Sequence, residues 1–256
     1  MDRKHALELQ RAAIRAWIRT LAGIVSDGEL IERDGVVAVV APRAPKRSLL
    51  NGAIHSGAAS LERALPELTE AYDRAGVAAT MWTIEPDPAA EALLEEAGYA
   101  LDGEPAAMFA DLNELPAADP GDLDWDASAT AEELGRVNDL AYGYPYDEGV
   151  SAGIGEPAGL APRSYRARVG GEVASVLQTA DVGSDCLIMW VATLAEHRGR
   201  RLTSRLLEVA LRDARERGMR TTSLQASMLG RGVYERLGYE LVASLRLHER
   251  RIGSGA

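Results

Sequence analysis

The sequence predicts a mixed α/β (α+β) protein of two similar units. Three observations carry this. Short β-branched runs alternate with amphipathic helical stretches, both halves repeat that order, and 256 residues exceed one average domain without filling two large ones. The halves also echo in residues: Asp73-Arg74-Ala75-Gly76-Val77-Ala78-Ala79-Thr80 is similar to Glu216-Arg217-Gly218-Met219-Arg220-Thr221-Thr222, and each precedes a Gly-Tyr pair, Gly98-Tyr99 and Gly238-Tyr239. The expected layout is a first unit at 1–115, a linker at 116–123 and a second unit at 124–256.

Ala6, Leu9, Ala13, Ile14, Trp17 and Leu21 recur at helical intervals, so an amphipathic helix spans 6–22. Val36 to Val40, bounded by Asp34-Gly35 and Pro42, suits a buried strand. A helix at 58–75, a strand at 77–84, a short helix at 89–97 after Pro86 and Pro88, and a strand at 106–112 complete the first unit. The second unit opens with a helix at 130–141. Strands at 164–170 and 172–180 turn at Gly170-Gly171, and a strand at 186–193 leads to a helix at 201–217. A strand at 219–226, a short helix at 230–237 and a closing strand at 241–249 follow.

Composition removes several classes. The apolar fraction is 46%, yet no stretch offers the roughly 18 to 20 uninterrupted apolar residues of a membrane span. Cys186 is the one cysteine and His5, His55, His197 and His248 are scattered, which excludes a disulfide scaffold or zinc finger, and no metal is expected. With a charged, helical start, the lone thiol points to a cytoplasmic location. A net charge of −11 argues against a nucleic-acid binder. The acid is concentrated in residues 1–121, whereas 198–220 hold eight arginines at net +5, a local attractor for anions.

That arginine-rich segment joins a buried strand to a helix whose Leu202, Leu206, Ala210 and Ala214 form one apolar row beside Leu207 and Leu211. A helix start exposes unpaired N–H groups, so amides from Gly199 to Ser204 can close around a pyrophosphate. Here the sequence resembles the GCN5-related N-acetyltransferase (GNAT) superfamily, which implies that each unit is a mixed, largely antiparallel sheet flanked by helices. Arg198-Gly199-Arg200-Arg201-Leu202-Thr203 is similar to its acyl-CoA loop, and Gln225-Ala226-Ser227 with Gly232-Val233-Tyr234-Glu235-Arg236-Leu237-Gly238-Tyr239 to its second signature. Arg201 and Thr203 stand where the family has small residues. The resemblance covers about residues 122–250; the first unit looks like a degenerate copy, with Leu94 in place of Tyr234 and no phosphate-loop pattern at 42–48.

The resemblance implies acetyl-CoA as acyl donor, held by Arg198, Gly199, Arg200, Arg201, Leu202, Thr203 and Ser204, by the main chain of Val191, Ala192 and Thr193 on a splayed strand, and by Ser227. It implies Tyr234 as general acid toward the departing thiolate. Ser227 reads equally as a cap. Glu172, Asp181, Asp185 and Glu196 lie at strand ends, but none stands out as a base, and Cys186 reads as a core thiol. The loop from Tyr142 to Gly149, with three tyrosines and two acids, either cradles an amine or packs on the first unit. The expected activity is acetylation of a primary amine on a small molecule or peptide by direct attack, in a monomer or homodimer. Two rivals stay open: a non-catalytic acyl-CoA sensor or scaffold, and a mycothiol-synthase-like acetyltransferase.

Overall fold

The computed structural model describes residues 3–25, 27–116, 119–145, 150–151, 153 and 162–252. Tyr146, Asp147, Glu148 and Gly149 of the tyrosine-rich loop, and Ala117 and Ala118 of the expected linker, lie outside the described residues. The first half contains α1 (Arg3–Ile24), β1 (Glu29–Arg33), β2 (Val36–Val40), β3 (Gly52–His55), α2 (Ala58–Ala75), β4 (Ala79–Thr83), α3 (Pro88–Glu96), β5 (Ala100–Gly103) and β6 (Ala106–Asp111). The second contains β7 (Asp124–Asp126), α4 (Ala131–Tyr142), β8 (Arg163–Val169), β9 (Glu172–Val182), β10 (Asp185–Thr193), α5 (Leu202–Glu216), β11 (Thr221–Ala226), α6 (Arg231–Leu237), β12 (Glu240–Ser244) and β13 (Arg246–Arg250).

These strands build two mixed sheets in the orders β1-β2-β3-β4-β13-β5 and β12-β6-β11-β10-β9-β8-β7. Each has one parallel step, β3 to β4 in the first and β10 to β11 in the second, with a helix crossing between the two strands. The halves therefore share a topology in which α2 corresponds to α5 and α3 to α6.

The sheets interlock. Ala106–Asp111, expected to close the first unit, pairs with β11 and β12 in the second sheet. The strand expected at 241–249 is two strands broken at Leu245, and the later one, β13, lies between β4 and β5 in the first sheet. At the crossing Leu245 N–H donates to Pro105 C=O at 2.9 Å, so residues 100–111 and 240–250 form one antiparallel ribbon passing through both sheets. Period-two alternation specifies which face of a strand is buried and not which sheet receives it, hence the difference.

Helix α1 fills the space between the sheets. Ile14, Ile18 and Leu21 are fully buried with Val37, Val39, Ile54 and Leu245; each such side chain contributes about 1.5 to 3 kcal/mol of apolar burial. Trp17 packs edge-on against Trp82 of β4 at 5.0 Å and against Trp190 of β10 at 5.9 Å. One aromatic side chain on α1 thus touches both sheets. Trp82 Nε1 donates across to Gln225 Oε1 of β11 at 3.1 Å.

Because each sheet is completed by a strand from the other half, calorimetry is expected to show one unfolding transition rather than two. His55 and His248 are buried in the first sheet, and loss of hydration holds both imidazoles below the ordinary value of 6.5. The unfolded chain therefore takes up protons that the folded chain resists, so stability is full above about pH 7 and falls as pH drops through the imidazole range. The expected result is a melting temperature that declines from pH 7 to about 5.5, with a shallower decline in His55→Gln/His248→Gln.

Candidate active site

The parallel step between β10 and β11 is short. Asp185, Cys186 and Leu187 pair with Thr221, Thr222 and Ser223, and there the pairing ends although β10 continues to Thr193 and β11 to Ala226. The two strands part into a wedge. On its other edge β10 carries a bulge against β9, where the register moves from Met189–Gln178 to Ala192–Val176. Trp190 stands in this bulge at a φ of 50°, a left-handed conformation that costs a non-glycine residue about 1 to 2 kcal/mol. Contact with Trp17 and a bond from Asn138 Nδ2 to the Trp190 carbonyl at 3.2 Å hold it there. Val191, Ala192 and Thr193, expected to carry main-chain contacts, follow directly at the mouth of the wedge.

Beyond Thr193 a single 3-10 turn at Ala195–His197 leads into the arginine-rich segment and α5. Gly199 has a φ of 77° with open space where a Cβ would stand, and Arg201 has a φ of 59° at the N-cap. The first intrahelical bond is Arg205 N–H to Arg201 C=O at 3.1 Å. No side chain caps this helix and its first turn has no acid. Among the described residues the amides of Gly199, Arg200, Arg201, Leu202, Thr203 and Ser204 therefore have no acceptor. Unpaired amides and helix dipole give this end its affinity for anions. Thr203 Oγ1 lies 2.6 Å from Thr193 Oγ1, which lies 2.7 Å from Ser175 Oγ, a hydroxyl chain that seats the helix start on β10 and β9.

The arginines divide by role. Arg205 binds the Pro120 carbonyl and Asp122, Arg215 binds the carbonyls of Leu112 and Leu115, and Arg217 pairs with Asp181 at 2.8 Å. These fasten α5 to the connecting segment and to β9, so three of the eight arginines serve anchoring. Arg198 turns toward α4, donating to Ala141 C=O at 2.7 Å and Thr193 C=O at 3.3 Å. Arg200 meets His197 Nδ1 at 3.2 Å, and the Arg201 side chain forms no hydrogen bond or ion pair among the described residues.

Tyr234 projects from α6 and is buried, stacked edge-on against Tyr239 at 5.9 Å. Tyr239 is fixed in turn by Thr222 Oγ1 of β11 at 2.9 Å. Gly238 at a φ of 102° ends the helix where a Cβ would press on Leu115 at 3.0 Å. Burial, reinforced by the nearby Tyr142 phenol, pushes the Tyr234 hydroxyl well above its ordinary value. It keeps its proton at neutral pH and can serve as a donor. Tyr142, at the end of α4, donates to Val191 C=O at 3.5 Å, which brings its phenol to the bulge. Ser227 Oγ accepts from Gly230 N–H at 3.2 Å, a bond within the turn that precedes α6, whose N-cap is Gly230.

The remaining sequence candidates separate from the wedge. Asp181 is paired with Arg217 and Arg163, and these cations hold its carboxyl below the usual range. Asp185 is buried under bonds from Thr221 and Ser223, and desolvation raises its pKa. Cys186 is fully buried, which pushes its thiol up to about 12. Glu172 and Glu196 are exposed. No group of three potential metal ligands occurs among the described residues, and no helix there is long and apolar enough to cross a membrane.

The tyrosine-rich loop leans on the first half. Arg47 donates to the Tyr144 hydroxyl at 2.6 Å with its guanidinium 4.3 Å from that ring. In the first half, the strand-to-helix junction matching the arginine-rich turn is Ser56-Gly57, not 42–48 as the sequence suggested. There Asp87 bonds both Ala58 N–H of α2 at 3.0 Å and Ala90 N–H of α3 at 3.1 Å. Its carboxylate thus takes up one amide of the α2 start, whereas no side chain does so at α5. Sequence reading missed Asn138, the bulge and Asp87, because each acts through a contact with a distant segment.

Residues 186–242 match the profile of the acetyltransferase (GNAT) domain. No curated protein matches the sequence. Among solved structures, the chain is similar to a GCN5-related N-acetyltransferase from Kribbella flavida, with 20% identity over 93% of this chain and 95% of that one and a TM-score of 0.66. A GCN5-related N-acetyltransferase from Sphaerobacter thermophilus matches at 17% identity over 85% and 81%, with a TM-score of 0.57. A tandem GNAT protein from the clavulanic acid biosynthesis pathway matches at 15% identity over 95% and 96%, with a TM-score of 0.54. The segment with the wedge, the open helix start and Tyr234 thus matches the GNAT domain profile, and the chain as a whole has the fold of the GCN5-related N-acetyltransferases and of the tandem GNAT protein.

Proposed function

We propose that the second unit is an acetyl-CoA-dependent N-acetyltransferase acting on a primary amine, and that the first unit shapes the acceptor side. The observation that carries this reading is the uncapped start of α5 at the mouth of the β10–β11 wedge, whereas at the matching helix start of the first unit Asp87 takes up the first amide. The residues present fit the donor. The amides of Gly199 to Ser204 with Arg200 and Arg201 suit a pyrophosphate, and the unpaired edge of β10 along Val191, Ala192 and Thr193 suits an extended amide-bearing arm. When bound, acetyl-CoA supplies the acetyl thioester that the amine attacks.

The chain's own groups then have defined tasks. Main-chain N–H groups beside the bulge lie where oxyanion charge would develop, and being fixed in advance they need no reorganisation. Tyr234 keeps its proton through neutral pH and holds it for a departing thiolate. No carboxylate among the sequence candidates reaches the wedge, so the reading assigns no side chain as base and takes the amine in its neutral form. The cytoplasm, where acetyl-CoA is made and used, is the matching location.

The deciding experiment pairs thermal shift with acetyl-CoA and thiol release with spermidine, glucosamine, tyramine, an alanyl peptide and the mycothiol precursor amine. Stabilisation together with turnover supports the proposal. Stabilisation without turnover on any amine supports the acyl-CoA sensor, a reading favoured by Arg201 and Thr203 at positions where small residues let backbone approach phosphate.

In the same assay Tyr234→Phe is expected to lower kcat by about 100-fold with acetyl-CoA affinity unchanged. Arg200→Glu/Arg201→Glu is expected to weaken acetyl-CoA binding by about tenfold or more while leaving the fold intact. Arg201 holds a φ of 59°, so Arg201→Val is expected to be about 1 to 2 kcal/mol less stable than Arg201→Gly in urea titration.

A further inference from the structure

The last two turns of α4 hold both sides of the site through two adjacent residues. Asn138 is buried, and its Nδ2 donates to Leu134 C=O at 2.9 Å and to Trp190 C=O at 3.2 Å. The first bond returns to its own helix, and the second fixes the carbonyl at the centre of the β10 bulge. Asp139, the next residue, is fully buried and points toward the tyrosine-rich loop. Its main-chain carbonyl accepts from Tyr144 N–H at 2.8 Å, where the loop departs. Its carboxylate accepts from Val150 N–H at 2.5 Å, from Ser151 N–H at 3.0 Å and from the Ser151 hydroxyl, where the loop returns. Both ends of the segment 144–150 are therefore tied to one residue.

Adjacent helical residues diverge by about 100°, so one dipeptide can face two different partners without strain. Three further contacts keep the register. Gly135, one turn before Asp139, lies so close to the returning loop that a Cβ would stand 2.7 Å from Ser151 Cα. The carbonyl of Ala141 is held by Arg198, and the Tyr142 hydroxyl reaches Val191 C=O. A buried carboxylate is retained only where donors replace its hydration, and here those donors are the loop itself.

We propose that Asn138 and Asp139 are positioning residues that set the spacing between the bulge and the chain at Tyr144 and Val150–Ser151, which abuts the first unit proposed to shape the acceptor side, Asn138 acting on the thioester side and Asp139 on the amine side. This rests on the acetyltransferase reading above. A displacement of about 1 Å between reacting groups can reduce rate as much as 100-fold, so a rigid bracket of this kind carries kinetic weight without touching substrate. The two residues consequently affect different constants. Loosening the bulge raises the barrier to attack and lowers kcat, whereas loosening the loop weakens capture of the amine and raises its KM.

The test measures steady-state kinetics with whichever panel amine turns over fastest, acetyl-CoA affinity by thermal shift, and amide hydrogen exchange. Asp139→Asn removes acceptor capacity at the loop and is expected to raise amine KM about tenfold with kcat within about twofold. Asn138→Ala is expected to lower kcat about tenfold with amine KM within about twofold. Faster exchange is expected at Val150 and Ser151 in the first variant and across 190–192 in the second. Ser151→Ala removes the hydroxyl bond to Asp139 and keeps the main-chain bonds from Val150 and Ser151, and if Asp139→Asn fails to fold this milder variant is expected to raise amine KM about threefold. Wild-type turnover with kcat and KM moving together in both variants, or with neither moving, overturns the positioning role alone. Wild-type binding of acetyl-CoA without thiol release from any amine defeats the acetyltransferase reading, and the positioning role with it.

Discussion

The site depends on how early β10 and β11 stop pairing. After Leu187 and Ser223 the two parallel strands share no ladder bond, yet each is secured on its far edge, β10 by β9 and β11 by β6. The opening is therefore imposed by the neighbours and stays rigid. Parallel strands that separate inside a sheet leave peptide groups unpaired in a half-buried place, which is costly unless something extended pairs with them. The bulge at Trp190 increases the divergence, the 3-10 turn after Thr193 redirects the chain, and α5 starts with its amides facing the same mouth. Each feature would be weak evidence alone. Their convergence on one opening gives the site its chemical direction.

The first half shows the same topology with a different helix start. Its corresponding connection between strand and helix is the short Ser56-Gly57, and Asp87 takes up the first amide of α2 from within the chain. A carboxylate in that place supplies the negative charge that a phosphate would otherwise bring. Leu94, fully buried on α3, replaces the phenol of α6 with packing. What this half retains is structural: Arg47 supports Tyr144, and α1 presents Trp17 to both sheets. The halves have diverged at the helix starts and the phenol while keeping one backbone plan.

Much of this was legible in the residues. The row of Leu202, Leu206, Ala210 and Ala214 marked α5, and all four are buried as that spacing requires. Gly199 at a positive φ and Tyr234 in a short helix fell where the two signatures placed them. The positive run was harder to interpret, because formal charge does not tell a phosphate clamp from an anchor, and Arg205, Arg215 and Arg217 are anchors. Strand destinations were illegible for a related reason. Ala106 to Asp111 and Arg246 to Arg250 alternate equally well for either sheet, and their partners lie more than 100 residues away. Asn138 and Asp139 read as ordinary polar helix residues until their far acceptors and donors are known.

The ribbon that crosses between the sheets has a consequence for biosynthesis. A chain emerging from the ribosome presents β1 to β4 early, but the strand that must lie against β4 is synthesised about 160 residues after it. Until then the nascent first half has a bare sheet edge at β4 and an isolated β5, the kind of exposed edge that invites pairing with other chains. Vectorial, unit-by-unit maturation is closed to this topology, and residues 246–250, made after the whole second sheet, are the ones that seal the first. Such distant pairings bring high contact order and slow closure, which puts a premium on shielding the half-built molecule while translation finishes.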